Sequence, residues 1–130
     1  MGPIRSTITR AAVVTLLTAG ASIMGATPAS AAPGTWAAIA VSVQTGNVGW
    51  SYEQPSGGAA ASAAVDGCDA RDCQEVVRVT NGCAAVAQAS NRAWGWAYAA
   101  SRAEAEREAK RSAPGKGARV IAYTCTGAYR

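Results

Sequence analysis

The chain has no histidine. That absence removes the Ser-His and Cys-His dyads of nucleophilic catalysis and takes imidazole out of any metal site. A zinc site would need all four cysteines as thiolates, and their spacing holds no paired Cys-x-x-Cys knuckle. Long apolar runs are missing as well. The longest, over residues 11–25, is interrupted by Thr and Ser and falls short of the roughly 20 residues that span a bilayer. No phosphate loop is present either. Gly115-Lys116-Gly117 resembles a fragment of one but follows a predicted helix instead of opening it.

What the first thirty residues do contain is an export pattern. Arg5 and Arg10 precede the apolar run, and Ala29-Ser30-Ala31 is a small-x-small cleavage site. Residues 1–31 therefore read as a secretory signal peptide, and residues 32–130 as the single mature domain. No cysteine sits at the cleavage point to take a lipid, and Ala128-Tyr129-Arg130 is no hydrophobic tail. The expected product lies outside the cytoplasm, in the medium or at the cell wall, with no stable membrane insertion after cleavage. Four cysteines in an oxidising compartment read as two disulfides.

Charge is lopsided. Residues 32–77 carry one base and five acids, and residues 78–130 carry nine bases and three acids. The asymmetry could steer a partner or draw the two halves together. It is too weak for the basic footprint of a nucleic-acid binder, so no nucleic-acid partner is expected.

The second half repeats the first. Ala37-Ala38-Ile39-Ala40 matches Ala84-Ala85-Val86-Ala87, and Gly49-Trp50-Ser51-Tyr52 matches Gly95-Trp96-Ala97-Tyr98. A serine follows each, Ser56 or Ser101, then an alanine-rich run and an apolar segment ending in cysteine. Turn clusters at residues 44–47 and around Asn91-Arg92 separate pairs of strands. Ser56 can cap one helix, and Ser101 with Glu104 forms a capping box for another. Each unit thus reads strand, strand, helix, strand, over residues 36–82 and 83–125. The expected fold is α+β: two pseudo-symmetric ββαβ repeats building one antiparallel sheet of about six strands with two helices, stabilised by disulfides.

The repeat also bears on cysteine pairing. Cys68 and Cys73 lie opposite Ala113 and Ala118 of the second unit, so they are absent there together. We expect Cys68 to bond Cys73 at the helix end, and Cys83 to bond Cys125 and link the lobes. The other two connectivities remain open, since sequence alone does not settle pairing.

Alternation places Val48, Trp50 and Tyr52 on one strand face, and Trp94, Trp96 and Tyr98 on another. Ala60 with Ala64, and Ala105 with Ala109, sit at i,i+4 on the helices. Rings laid over these alanine stripes would make a close helix-to-sheet core. The alternative is a binding surface: Arg92, Trp94, Trp96 and Tyr98 would suit stacking on sugars, peptide or exposed bases.

These motifs resemble the domain-of-unknown-function 4189 family of small exported bacterial proteins, found widely in actinobacteria. The Asn81-Gly82-Cys83-Ala84-Ala85-Val86-Ala87 run carries the resemblance most specifically, with Gly-Trp-Ser-Tyr and the Ser-x-x-x-Ala-x-x-x-Ala helices beside it. The resemblance implies export and the fold, and no activity. Members of the family often carry a further cysteine pair near the positions of Ala113 and Ala118, which this chain lacks.

No catalytic residue, cofactor or metal is therefore expected. Asp66, Asp69 and Asp72 could offer oxygens to a hard cation, but their spacing matches no calcium loop and reads as a solvated turn. The leading expectation is a non-catalytic interaction module for an unknown protein or cell-envelope component. The alternatives are an inhibitor of a secreted enzyme and a carboxylate-dependent hydrolase, the latter requiring Glu53 and Glu75 to converge.

Overall fold

The computed structural model describes residues 34–129, so the expected signal segment at residues 1–31 lies outside the described residues. Strands β1 (Trp36–Val41) and β2 (Val48–Gln54) precede helix α1 (Gly57–Cys68) and strand β3 (Gln74–Thr80). Strands β4 (Cys83–Gln88) and β5 (Trp94–Ala99) then precede α2 (Arg102–Ser112) and β6 (Arg119–Cys125), and a 3-10 turn spans Gly127–Tyr129. The order strand, strand, helix, strand thus occurs twice, and the fold is α+β.

The six strands do not share one sheet, which corrects the sequence-based expectation. They form two antiparallel sheets of three, ordered β2-β1-β3 and β5-β4-β6. The reason lies in the central strands, which are buried on both faces from Ala37 through Val41 and from Cys83 through Ala87. One face of β1 (Ala37, Ile39, Val41) meets Val77 and Val79 of β3 and Ala84 and Val86 of β4 in a single cluster. The two sheets therefore pack face to face. The other face of β1 (Ala38, Ala40) packs on Ala60 and Ala64 of α1. Ala85 and Ala87 of β4 pack in the same way on Ala105 and Ala109 of α2. The layers run α1, sheet, sheet, α2. A single sheet with both helices on one face would leave its other face in water, and stacking the sheets covers it. Full burial of Ile39 alone is worth about 2–3 kcal/mol.

The switch between sheets takes two residues. Asn81 adopts φ +59°, and a Cβ on Gly82 would overlap the carbonyl oxygen of Ala99. Only a residue without a side chain fits that crossing.

Alanine against alanine brings the helices very close to the sheets, and the neighbouring edge strands must accommodate this. They do so with glycine. A Cβ on Gly49 would overlap the Ala64 carbonyl and the Cys68 amide nitrogen, and one on Gly95 the Ala109 carbonyl and the Ala113 nitrogen. Alternation then sends the intervening rings the opposite way. Trp50, Tyr52, Trp96 and Tyr98 do not lie over the alanine stripes of the helices, which corrects the expected helix-to-sheet ring core. They project from the inter-sheet faces of two edge strands and overhang the rims of the sandwich.

Ser56 and Ser101 cap the helices, accepting from the amides of Ala59 at 3.0 Å and Glu104 at 3.2 Å. Each cap satisfies a donor that the helix itself leaves open. Disulfides join Cys68 to Cys73 and Cys83 to Cys125. The first fastens the end of α1 to the loop before β3. The second pairs directly opposed residues of β4 and β6, so it lies inside the second sheet and does not link the two lobes.

Candidate binding groove

Edge strand β2 of one sheet and edge strand β6 of the other run along the same rim. The Thr124 hydroxyl, buried, donates to the Ser51 carbonyl at 2.9 Å and ties the two strands together. Between and above them opens a groove of about 510 Å³, lined by Trp50, Tyr52, Arg102, Ile121, Tyr123 and Tyr129 among others. The volume suits a small ligand or a short length of polymer. Trp50 is 54 % exposed and Tyr129 44 % exposed, so the rings are available from solvent.

Each wall has a local cause. Trp50 and Tyr52 turn outward because Gly49 and Ser51 face α1. Tyr129 arrives on the 3-10 turn, whose base is held by Thr126 through hydrogen bonds to Gly82 at 2.9 and 3.1 Å. Arg102 opens α2 directly after its serine cap. Its guanidinium carbon stands 3.6 Å from the centroid of the Tyr123 ring, a cation–π contact. Its Nε donates to Glu106 one helical turn on, at 2.7 Å. That hydrogen bond, with a smaller charge attraction to the same carboxylate, holds the guanidinium above the ordinary arginine value against the opposing effect of burial. The Glu106 bond and the Tyr123 ring together pin the guanidinium plane at the groove's edge.

Both strands are irregular here. Register shifts where β1 meets β2 between Trp36 and Ala38, and Glu53 on β2 takes φ +55°. Register shifts again where β4 meets β6, between Val86 and Ala87, which leaves Ile121 between paired positions. These bulges interrupt the regular ladder that an added strand would extend. The groove offers side chains more readily than backbone.

The opposite rim is built from β5 and β3. The stripe read from the sequence divides there. Trp94 is partly buried against the inter-sheet core, whereas Trp96 is 44 % and Tyr98 67 % exposed. Arg92 sits in the β4–β5 turn with φ +71°, its carbonyl accepting from the Gln88 amide group. Three stripe residues share a strand face, and Arg92 lies in the turn that precedes them.

The two carboxylates of the hydrolase reading stand apart. Glu53 and Glu75 lie on strands separated by β1, so the pair required by the hydrolase reading does not converge. Glu75 is instead engaged by Arg78, at 2.6 and 2.8 Å. In the acidic loop, Asp72 accepts from the Ser42 hydroxyl and, at 3.1 Å, from the Gln44 amide. The Ser42 bond comes first among the causes that draw the Asp72 carboxyl below its usual range. Among the described residues no three His, Cys, Asp or Glu side chains group as a metal site.

A family model described as Domain of unknown function (DUF4189) matches residues 36–125. The chain belongs to that family. Comparison with curated proteins and comparison with solved structures return no match. The matched span runs from the first residue of β1 to the last of β6, so this DUF4189 domain comprises both sheets and both helices. Tyr129 lies beyond the span. No helix among the described residues is long and apolar enough to cross a membrane.

Most of the groove went unread in the sequence. Trp50 and Tyr52 carry the same Gly-Trp-x-Tyr pattern as the stripe on β5, and that repetition was the available signal. Arg102 reads as an ordinary helix-start residue. Only the sandwich brings it together with Ile121, Tyr123 and Tyr129.

Proposed function

We propose that this chain is an exported, non-catalytic binding module whose ligand surface is the groove between β2 and β6. One observation carries the reading: exposed rings from two different sheets and a fixed guanidinium converge on one cavity. Rings of this size are ordinarily buried, and holding several at a solvent-open cleft is the usual signature of recognition. Two disulfides within the domain agree with an oxidising destination, and the export pattern at residues 1–31 supplies the route. A chain with no histidine, and with Glu53 and Glu75 held apart by β1, favours binding over the hydrolase alternative. Inhibition of a secreted enzyme would be one form of such binding.

The doubled ββαβ order, with the first strand of each unit central in its sheet, supports two copies of one unit related by an approximate two-fold axis. On this reading, one copy supplies Trp50 and Tyr52 and the other supplies Arg102 and Tyr123, so the groove exists only when both are present.

The test is a ligand array of glycans and peptides, probed with the mature domain and with a Trp50→Ala/Tyr52→Ala variant of matched thermal midpoint. Specific signals that vanish in the variant support the groove. Signals unchanged in the variant would place recognition elsewhere.

A further inference from the structure

The lining of the groove narrows what it would hold. Resting on the reading of this cleft as a binding surface, we propose that its ligand is an acidic saccharide: a sugar ring stacked on Trp50, with its carboxylate on the terminal nitrogens of Arg102.

The charge points one way. Among the described residues that line the groove, Arg102 is the only charged one. Glu106 occupies its Nε, and the two terminal nitrogens hold no hydrogen bond to another described residue. A guanidinium edge of that kind matches a carboxylate by two parallel hydrogen bonds. Stacking on Tyr123 and the bond to Glu106 fix the plane in advance, so little side-chain freedom is lost on binding. A cationic ligand would meet a like charge over the very ring that could otherwise cage it.

The other rim shows what an arginine without this task looks like. Arg78 lies opposite Ala38 as Tyr123 lies opposite Ala85, so the two occupy equivalent strand positions. Gly57, the first residue of α1, stands where α2 has Arg102. Arg78 is gripped through both Nε and Nη2 by Glu75, which satisfies its fork internally. Arg102 keeps its outer edge.

The rest of the lining favours a sugar over other carboxylates. The negative face of the exposed Trp50 ring attracts the polarised C–H groups of a pyranose. Tyr123 and Tyr129 bring phenolic groups that both donate and accept, as vicinal hydroxyls require. The bulges on β2 and β6 oppose capture of an extended peptide as an added strand.

Isothermal titration of the mature, oxidised domain with trigalacturonate and with neutral chitotriose tests this. Trigalacturonate is expected to bind at least tenfold more tightly. Arg102→Gln should bring the two to within about twofold, and Arg102→Lys, which keeps charge but loses the fork, should fall between. Trp50→Ala should abolish both. Each variant's thermal midpoint serves as its folding control. Equal affinities for the two saccharides, binding of neither, or an Arg102→Gln domain that retains the preference would each overturn the acidic-saccharide assignment. Equal binding that Trp50→Ala still abolishes would leave the groove standing as a binding surface. Binding untouched by Trp50→Ala would remove the groove as well.

Discussion

The two halves of the sandwich solve one problem in different ways. In each, the loop after the helix must be held against the turn of the neighbouring hairpin. The first half uses Asn47, which donates to the Asp69 carbonyl at 3.2 Å, and Asp72, which accepts from Ser42 and Gln44, and it braces the loop to the helix end with the Cys68–Cys73 bridge. The loop after α2 carries no cysteine. There the loop is held by hydrogen bonds. Asn91 donates to the Pro114 carbonyl at 3.1 Å, and the amide and hydroxyl of Ser90 both reach the Lys116 carbonyl, each at 2.9 Å. A hairpin asparagine reaching the post-helix loop is the shared device, and the disulfide is added to it in one half only. The same asymmetry separates the rims: one arginine is spent on its own strand, and the other is left facing a groove.

The largest expected difference lies between the two bridges. Cys83 and Cys125 are 42 residues apart and Cys68 and Cys73 only 5. Loop-closure entropy then predicts a loss of about 4 kcal/mol on replacing the first pair with alanine and about 2 kcal/mol for the second. Urea unfolding of the two double variants measures both. Equal losses would mean that the bridges do not act through the unfolded chain.

The glycines under the helices should be alike in the two halves. Gly49→Ala and Gly95→Ala are each expected to cost about 3 kcal/mol, because the added methyl meets backbone that cannot move aside. A cost under 1 kcal/mol at either site would show that its helix stands off from the sheet.

A smaller effect separates the loops. Asn91→Ala should cost about 1 kcal/mol through loss of its bond to Pro114, and amide exchange should quicken around residues 114–117. The reach of that quickening measures how far hydrogen bonds replace the missing staple.

The smallest effect is electrostatic and confined to the first half. Asp72 accepts from Ser42, whereas the loop after α2 holds no aspartate. Hydrogen bonding lowers the Asp72 value in the folded state below its unfolded value. Its contribution is therefore present above the unfolded value and is lost as pH falls through the folded one. Asp72→Asn should flatten the acid side of the stability profile, and stability measured between pH 5 and pH 2 checks the sign.

How much of this was legible follows from what each pattern encodes. Serine caps and turn clusters act locally, so both helices and all six strands could be read along the chain. The number of sheets could not, because a strand's alternation does not say what covers it. The clue was the unbroken apolar run of β1 and β4, which requires cover on both faces. Ring orientation failed for a related reason. Alternation puts Trp50 and Tyr52 on one face without saying which. Gly49 and Ser51 beside them held the answer, since only small residues can lie beneath an alanine-faced helix. The groove was least legible of all, being a product of two sheets that meet only in the folded chain.

The sharpest test of the account sets one rim against the other. Backbone amide shifts of a domain spanning residues 32–130, followed by NMR as trigalacturonate is added, report which rim is engaged. The account predicts changes clustered at residues 49–53, 102, 121–124 and 129. Changes clustered instead around Trp96, Tyr98 and Arg78 would contradict it.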